Sequence, residues 1–240
     1  MQTVRRLLQN QDQIVLILGI SYLLIGSSLT VPVYAQNSDR PLPNNGSPDG
    51  TRTPGGTRPA ETLNCPETEH PLTAIIPLTG GTNTAVENPT LWVYNPFTDV
   101  SQIELTLLDE YEKKELYNTQ LEPPKLPGIT SVSISDYNLE ADTIYRWYLT
   151  WTIICNVNSD AASTEEVNFI LDSWIHRTPR DSAYRWDRVW YDTLTNTALG
   201  IQSSADDTRL HEQWVELLTD EAVNLDYLID QPFVQTLQSR

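Results

Sequence analysis

The sequence predicts an α+β protein, in which a mainly antiparallel β-sandwich is followed by a small C-terminal α-helical subdomain. Two observations predict this class. Short apolar or alternating runs, separated by Pro, Gly, Asn and Asp, fill the chain between about residues 72 and 177. After Arg177 the apolar residues recur at helical spacing instead.

The first 35 residues predict a signal peptide. A pair of arginines precedes an apolar core over residues 14–25, which is the order of an n-region and an h-region. Val33 and Ala35 then place modest or small side chains where signal peptidase requires them, so we expect cleavage between Ala35 and Gln36. The alternative is an uncleaved anchor, because about 20 uncharged residues can span a bilayer. Either way, the sequence predicts an extracytoplasmic protein, periplasmic or secreted, that meets the membrane only if this segment is retained.

Residues 36–60 predict a disordered linker. The segment is rich in Pro, Gly, Asn and Thr and has almost no apolar side chains, so it cannot bury enough surface to order itself. The expected organisation is therefore a signal peptide over 1–35, a linker over 36–60, a β-sandwich over 61–180 and a helical subdomain over 181–240, packed on the sandwich.

Seven runs between the linker and the helices have the length and punctuation of strands. They cover residues 72–76, 90–94, 102–109, 114–119, 129–134, 144–155 and 167–176. In the sixth run, apolar residues from Tyr145 to Cys155 alternate with Arg146, Tyr148, Thr150 and Thr152. A stripe this regular is more typical of a core face than of a ligand platform.

Two features favour an immunoglobulin-like arrangement of these strands. Leu139 precedes Tyr145 by six residues, which resembles the tyrosine corner, where the tyrosine hydroxyl bonds to backbone upstream. Cys65 lies before the first run and Cys155 ends the sixth, and strand direction in such a sandwich brings these two positions to the same end. The sequence therefore predicts a disulfide between them, although two buried free thiols are an alternative.

Helical spacing dominates residues 181–240. One stripe runs from Trp186 to Ile201, with Asp181 and Ser182 as candidate caps. A second stripe follows a pair of acidic candidate caps, and shorter third and fourth helices are expected from Asn224 and Pro232. The residues of the second stripe are Leu210, Trp214, Leu217 and Leu218, and its candidate caps are Asp206 and Asp207.

Charge and motifs exclude several classes of function. The formal net charge is −17, which disfavours nucleic acid and anionic lipid as partners. No calcium-binding loop or hydrolase elbow occurs, and nothing in the spacing brings the three histidines together. We therefore predict no cofactor, no metal and no enzyme activity. A carboxylate pair is the catalytic arrangement that such an acidic chain can hold without a motif, and the first candidates are Glu104, Asp109, Glu110 and Glu112.

The expected function is that of a non-catalytic interaction or binding module of the cell envelope, recognising an envelope protein or a polysaccharide. Candidate exposed binding aromatics are Trp92, Tyr94 and Trp174. The alternative for these rings is a place in the core or beneath the helices. The alternative functions are a carboxylate-dependent glycan hydrolase and a carbohydrate-binding protein.

Short motifs also resemble a known family over nearly the whole mature chain. They are Gly55-Gly-Thr-Arg58, Leu72-Thr-Ala-Ile-Ile-Pro77, Pro89-Thr-Leu-Trp-Val-Tyr94, residues 105–109, Pro127-Gly-Ile129, Tyr145-x-Trp147, Cys155, Trp174-Ile-x-Arg177, Trp190-Tyr-Asp192 and Trp214-x-x-Leu-Leu218. In order and spacing they resemble the exported bacterial proteins called domain of unknown function 928. The resemblance implies secretion and a shared architecture, and it brings no activity, cofactor or catalytic residue.

Overall fold

A computed structural model of the chain describes residues 50–54, 63–78, 81–157, 160–179 and 189–240. The predicted signal peptide, its cleavage position between Ala35 and Gln36, and most of the predicted linker lie outside these residues. Within the described ranges, no helix has the length and apolar character needed to cross a membrane.

The described residues form ten strands, two α-helices and one 3₁₀ helix. The strands are β1 Leu63–Asn64, β2 Thr73–Ala74, β3 Gly81–Thr84, β4 Thr90–Asn95, β5 Val100–Asp109, β6 Glu115–Leu121, β7 Gly128–Ser133, β8 Thr143–Val157, β9 Asp160–Arg177 and β10 Phe233–Leu237. The helices are α1 Trp190–Ser203, α2 Thr208–Thr219 and the 3₁₀ helix Asp226–Leu228. The protein is thus mostly β with two helices towards the C-terminus, in agreement with the predicted α+β class.

The strands make two sheets. Sheet A has the order β3-β9-β8-β5-β6, with β1 beside β8, and sheet B has the order β10-β7-β4-β2. Most pairs are antiparallel, but β3 runs parallel to β9 and β10 runs parallel to β7. Both sheets are therefore mixed, because each gains one parallel strand at an edge.

Strand β8 is the centre of sheet A, between β5 and β9. Its alternation turns Tyr145, Trp147 and Trp151 into the core, where their exposed fractions are 2%, 1% and 0%. The prediction that this stripe fills the core is confirmed. The Tyr145 hydroxyl also accepts a hydrogen bond from the backbone N–H of Glu140 at 2.7 Å, the kind of upstream contact that the spacing from Leu139 predicts.

The helices share one hydrophobic core with both sheets. Helix α1 contacts β3 and β4, and the Trp190 indole N–H donates to the Ile75 carbonyl at 2.9 Å. Helix α2 begins after Asp207, whose side chain accepts from the backbone N–H groups of Arg209 and Leu210, so this predicted cap is confirmed. The caps predicted for α1, residues 181 and 182, lie outside the described residues, and the helix itself begins at Trp190.

The sequence prediction is wrong at the C-terminus. Residues 233–237 form strand β10 rather than a helix after Pro232. The Phe233 ring lies 5.1 Å from the Trp214 ring and 5.9 Å from the Trp92 ring. This packing and the ladder with β7 outweigh the local preference for a helix start at a proline. After Asn224, the chain makes a single 3₁₀ turn, Asp226–Leu228.

Two short segments join the sheets along their edges. Thr51, in the last part of the predicted linker, pairs with Asp172 of β9, while the Arg52 carbonyl accepts from the Ala74 N–H of β2 at 2.8 Å. After β10, the Arg240 N–H donates to the Gln120 carbonyl of β6 at 3.0 Å. Sheet A is thus connected to sheet B through backbone hydrogen bonds at both edges.

Candidate functional site

The two cysteines meet at the end of β8. Their sulfur atoms are 2.06 Å apart and their Cα atoms 4.3 Å apart. Next to them, Asn64 of β1 pairs with Asn156 of β8. Cys65 and Cys155 therefore form a pair at disulfide distance, at the place where the sequence predicts one.

The three aromatics selected from the sequence are buried. The exposed fractions are 2% for Trp92, 6% for Tyr94 and 3% for Trp174. Trp92 lies beneath α1, where its indole N–H donates to the Thr195 hydroxyl at 3.0 Å. This burial contradicts their selection as exposed binding aromatics. Trp92 and Tyr94 belong to the hydrophobic core, as the alternative predicts, whereas Trp174 is buried on the other side of sheet A, against Arg146.

A buried ion pair lies beside Trp174 on sheet A. The Arg146 guanidinium contacts the Asp172 carboxylate, and the two residues are 2% and 5% exposed. The guanidinium lies 4.5 Å from the centre of the Trp174 ring and 5.6 Å from that of Tyr148, within the range of a cation–π contact. Asp172 also accepts from the Thr51 N–H at 3.2 Å, so its carboxylate holds both the guanidinium and the segment 50–54.

The carboxylates considered for catalysis have different surroundings. One Asp109 oxygen accepts from the backbone N–H groups of Lys113 and Lys114 at 2.8 and 3.2 Å, so Asp109 shapes the β5–β6 turn. Glu110 lies in the same turn. Glu112, with a positive φ of 55°, accepts from the Tyr148 hydroxyl at 2.7 Å.

Tyr148 is the aromatic ring that the sequence did not select. It is only partly buried, and its position in β8 places it on the face opposite the core-facing tryptophans. The pKa of Tyr148 is raised to about 12, mainly because the phenol is partly buried and, to a smaller extent, because it donates a hydrogen bond to Glu112. The phenol therefore stays protonated at neutral pH and serves as a fixed hydrogen-bond donor to Glu112.

The outward side of sheet A carries a surface that we call the polar face. Its residues, drawn from four neighbouring strands, are at least partly exposed. They are Gln102, Glu104, Thr106, Asn118, Gln120, Tyr148, Thr150 and Asn168. The register places Thr106 opposite both Tyr148 and Asn118, and Glu104 opposite both Thr150 and Gln120. Hydroxyl and amide groups dominate these eight residues, among which Glu104 is the carboxylate and none is a cation. On the same side of sheet A, the exposed side chain of Ile170 lies opposite Thr150, and the buried Arg146–Asp172 pair lies beside Tyr148.

Glu104 and Asn118 form a fixed pair within the polar face. The Asn118 amide donates to Oε1 of Glu104 at 2.8 Å and to the Thr106 hydroxyl at 2.9 Å. Among the described residues, none donates to the second oxygen, Oε2, of Glu104. The arrangement thus presents an oriented carboxylate oxygen and the Asn118 carbonyl oxygen as neighbouring acceptors.

A separate open groove lies at the disulfide end. Its volume is about 610 Å³, and its lining includes the carboxylates of Glu67 and Asp99 together with Ile154. Both acidic residues are exposed. A glycoside hydrolase needs two carboxyl groups, one of them in an apolar setting that keeps it protonated. The groove supplies the two groups without that setting.

The three histidines have separate surroundings. The His70 ring packs 4.7 Å from the Tyr227 ring, while His176 is buried, with Nε2 3.3 Å from an Asp142 oxygen. His211 is exposed on α2. Within the parts of the chain that the structure describes, no group of three or more His, Cys, Asp or Glu side chains is arranged to hold a metal ion.

Comparison with known proteins identifies a family and nothing more specific. The model of the family described as Domain of Unknown Function (DUF928) matches residues 53–185. This range covers both cysteines, the polar face and the Arg146–Asp172 pair. Searches of curated proteins and of solved structures found no match.

Proposed function

This chain belongs to the DUF928 family, and from that premise we propose that it is an extracytoplasmic, non-catalytic binding module of the cell envelope that uses the polar face. The observation that carries the proposal is the contrast between the outward sides of the two sheets. On sheet B, Trp92 is covered by α1 and contacts Phe233. On sheet A, the polar face offers unburied hydrogen-bonding groups on a rigid sheet, which is a suitable support for recognition.

We further infer that the two sheets form an immunoglobulin-like sandwich. Support comes from the division of the seven predicted runs between the two sheets. The first, second and fifth runs are β2, β4 and β7 of sheet B, and the third, fourth, sixth and seventh runs are β5, β6, β8 and β9 of sheet A. The contact between the Tyr145 hydroxyl and the Glu140 N–H is also typical of this fold. A sandwich of this kind commonly presents a sheet face or its loops to partners, although the same fold serves many functions.

An extracytoplasmic location is supported by the pairing of Cys65 with Cys155, because structural disulfides persist in oxidising compartments. The signal segment supports it independently. Mass spectrometry of the exported protein should find Gln36 at the N-terminus. A product that still begins at Met1 in the membrane fraction would instead indicate an anchor.

The test of binding uses a matched pair of variants. Thr150→Lys places a long cation in the middle of the polar face, and Thr219→Lys makes the same change at the exposed end of α2. Each protein, expressed as the full chain and purified after export, is immobilised and incubated with solubilised envelope material. We expect the wild type and Thr219→Lys to retain the same component and Thr150→Lys to lose it. Equal retention by all three would show that the polar face is not the binding surface.

A second candidate function is glycan hydrolysis, for which the groove supplies two carboxylates, Glu67 and Asp99, although both are exposed. It requires a carboxylate pair for general acid and base or nucleophile roles. If this candidate is correct, the purified protein releases reducing ends from envelope glycans, and the single variants Glu67→Gln and Asp99→Asn abolish the release. No release by the wild type would exclude it.

A further inference from the structure

We propose that the ligand of the polar face is a neutral, hydroxyl-rich polysaccharide, an inference that rests on the proposed binding function. The face supplies both kinds of hydrogen-bonding group. Glu104 Oε2 and Asn118 Oδ1 accept, while the amide groups of Gln102 and Gln120 donate. Within the described chain, no residue bonds the Gln102, Gln120 or Thr150 side chains. Each sugar hydroxyl can both donate and accept, so neighbouring hydroxyls of a sugar can pair with these acceptors and donors.

The Glu104–Asn118 pair gives the face a fixed point. Because the Asn118 amide holds Oε1 of Glu104 at 2.8 Å and the Thr106 hydroxyl at 2.9 Å, the carboxylate is already oriented before a ligand arrives. Less side-chain entropy is then lost on binding. A hydroxyl that donates to Oε2 makes a charge-assisted hydrogen bond, which is stronger than one between neutral groups.

Charge distinguishes this ligand from the other classes. An anionic polymer would bring negative groups against Glu104, in a chain of net charge −17. The cation nearest to the described residues of the polar face, Arg146 beside Tyr148, is 2% exposed and is paired with Asp172. The ammonium groups of a cationic partner would be attracted to Glu104, but these groups only donate and offer no acceptor to the amide groups of Gln102 and Gln120. A neutral polyhydroxyl chain supplies donors for Glu104 and Asn118 and acceptors for Gln102 and Gln120, and it brings no like charge against Glu104.

The shape of the face suits an extended chain. Its residues lie on β9, β8, β5 and β6, which together span about 14 Å across the strands, and three rows of side chains span about 13 Å along them. Tyr148, partly exposed at one end, adds an amphipathic ring, the kind of side chain that packs on apolar C–H surface while keeping a polar tip. Several consecutive sugar rings fit on such a surface.

The experiment is a glycan array that contains neutral and acidic polysaccharides together with a poly-lysine spot, probed with the purified exported protein. We expect binding to a neutral glycan and not to its acidic counterparts or to poly-lysine. Glu104→Ala should weaken that binding about tenfold or more, the usual effect of losing a hydrogen bond to a charged group. Asn118→Ala removes one neutral acceptor and frees the orientation of Glu104 but keeps its carboxylate, so it should have a smaller effect than Glu104→Ala. Glu212→Ala removes an exposed carboxylate from α2 and should change nothing.

Several outcomes overturn the inference: binding to no neutral glycan on the array, binding confined to poly-lysine or acidic glycans, or neutral-glycan binding that Glu104→Ala leaves intact. Circular dichroism of each variant separates lost binding from lost folding. If the envelope experiment retains a protein component in a Thr150-dependent way while the array shows no glycan, the binding function survives and the polysaccharide assignment fails.

Discussion

At the scale of single residues, Asp172 connects more parts of the molecule than any motif suggested. Its carboxylate accepts from the Thr51 N–H and contacts the Arg146 guanidinium, and both charged residues are at most 5% exposed. Removing one partner of a buried ion pair typically costs about 3–5 kcal/mol, because the other charge stays buried. We expect Asp172→Ala to lower the free energy of unfolding in urea by about 3 kcal/mol. Asp206→Ala, at an exposed acid, is the control, and equal midpoints for the two variants would contradict a structural role for the pair.

Asp192 should give the protein a distinctive pH dependence. Burial raises its pKa, although hydrogen bonds from the Thr84 hydroxyl and the Ala85 N–H act in the opposite direction. Between the ordinary aspartate value of about 3.9 and the raised value, the folded state therefore binds more protons than the unfolded state. In that window this group makes the protein more stable as the pH falls. Asp192→Asn has no carboxyl group to titrate. The free energy of unfolding of the wild type, measured by urea titration, should therefore rise relative to that of the variant as the pH is lowered through this window. A constant difference across these titrations would argue against the raised pKa.

At the scale of elements, the contact between β7 and β10 depends on one glycine. Gly128 has a φ of +143°, and a Cβ atom there would lie 2.5 Å from the Pro232 carbonyl oxygen. That atom is backbone, so it cannot rotate away, and the φ value is itself unfavourable for other residues. Gly128→Ala should destabilise the protein by at least about 2 kcal/mol. Gly200→Ala is the comparison, because its Cβ would meet only the flexible end of Leu210, and its thermal midpoint should change less.

The strands differ in how well their position can be predicted from sequence. The alternation in β8 predicted its inward face, because one side of that strand meets only core. Strands β3 and β10 were missed, since each is a parallel edge strand whose pairing with β9 or β7 depends on chain that is distant in sequence. The polar face was missed for a similar reason. Tyr148 and Asn118 are ordinary outward positions in their own strands, and only the register across β8, β5 and β6 brings them together.

Across the whole molecule, the pair of Cys65 and Cys155 acts with the edge segments. The cysteines join β1 to the end of β8, across 90 residues. Residues 51 and 52 then connect β9 with β2. The N-terminal side of the folded chain is thus fixed to sheet A at two points before the first strand of sheet B begins. Residues 51 and 52, which the sequence assigns to the linker, are thus attached to β9 and β2 by backbone pairing.

The disulfide therefore should determine the stability of the whole fold. Closing a loop of this length restricts the unfolded chain and contributes about 4–5 kcal/mol in the chain-entropy model. The double variant Cys65→Ala/Cys155→Ala should lose about that free energy, and its thermal midpoint should fall by about 10 °C for a domain of this size. Wild-type protein treated with reductant should have the same thermal midpoint as the variant, since both lack the cross-link. The oxidised wild type should have a higher midpoint. If reductant does not change the wild-type midpoint, and both thiols alkylate without it, the cysteines are unpaired and the argument for an oxidising compartment loses its structural support.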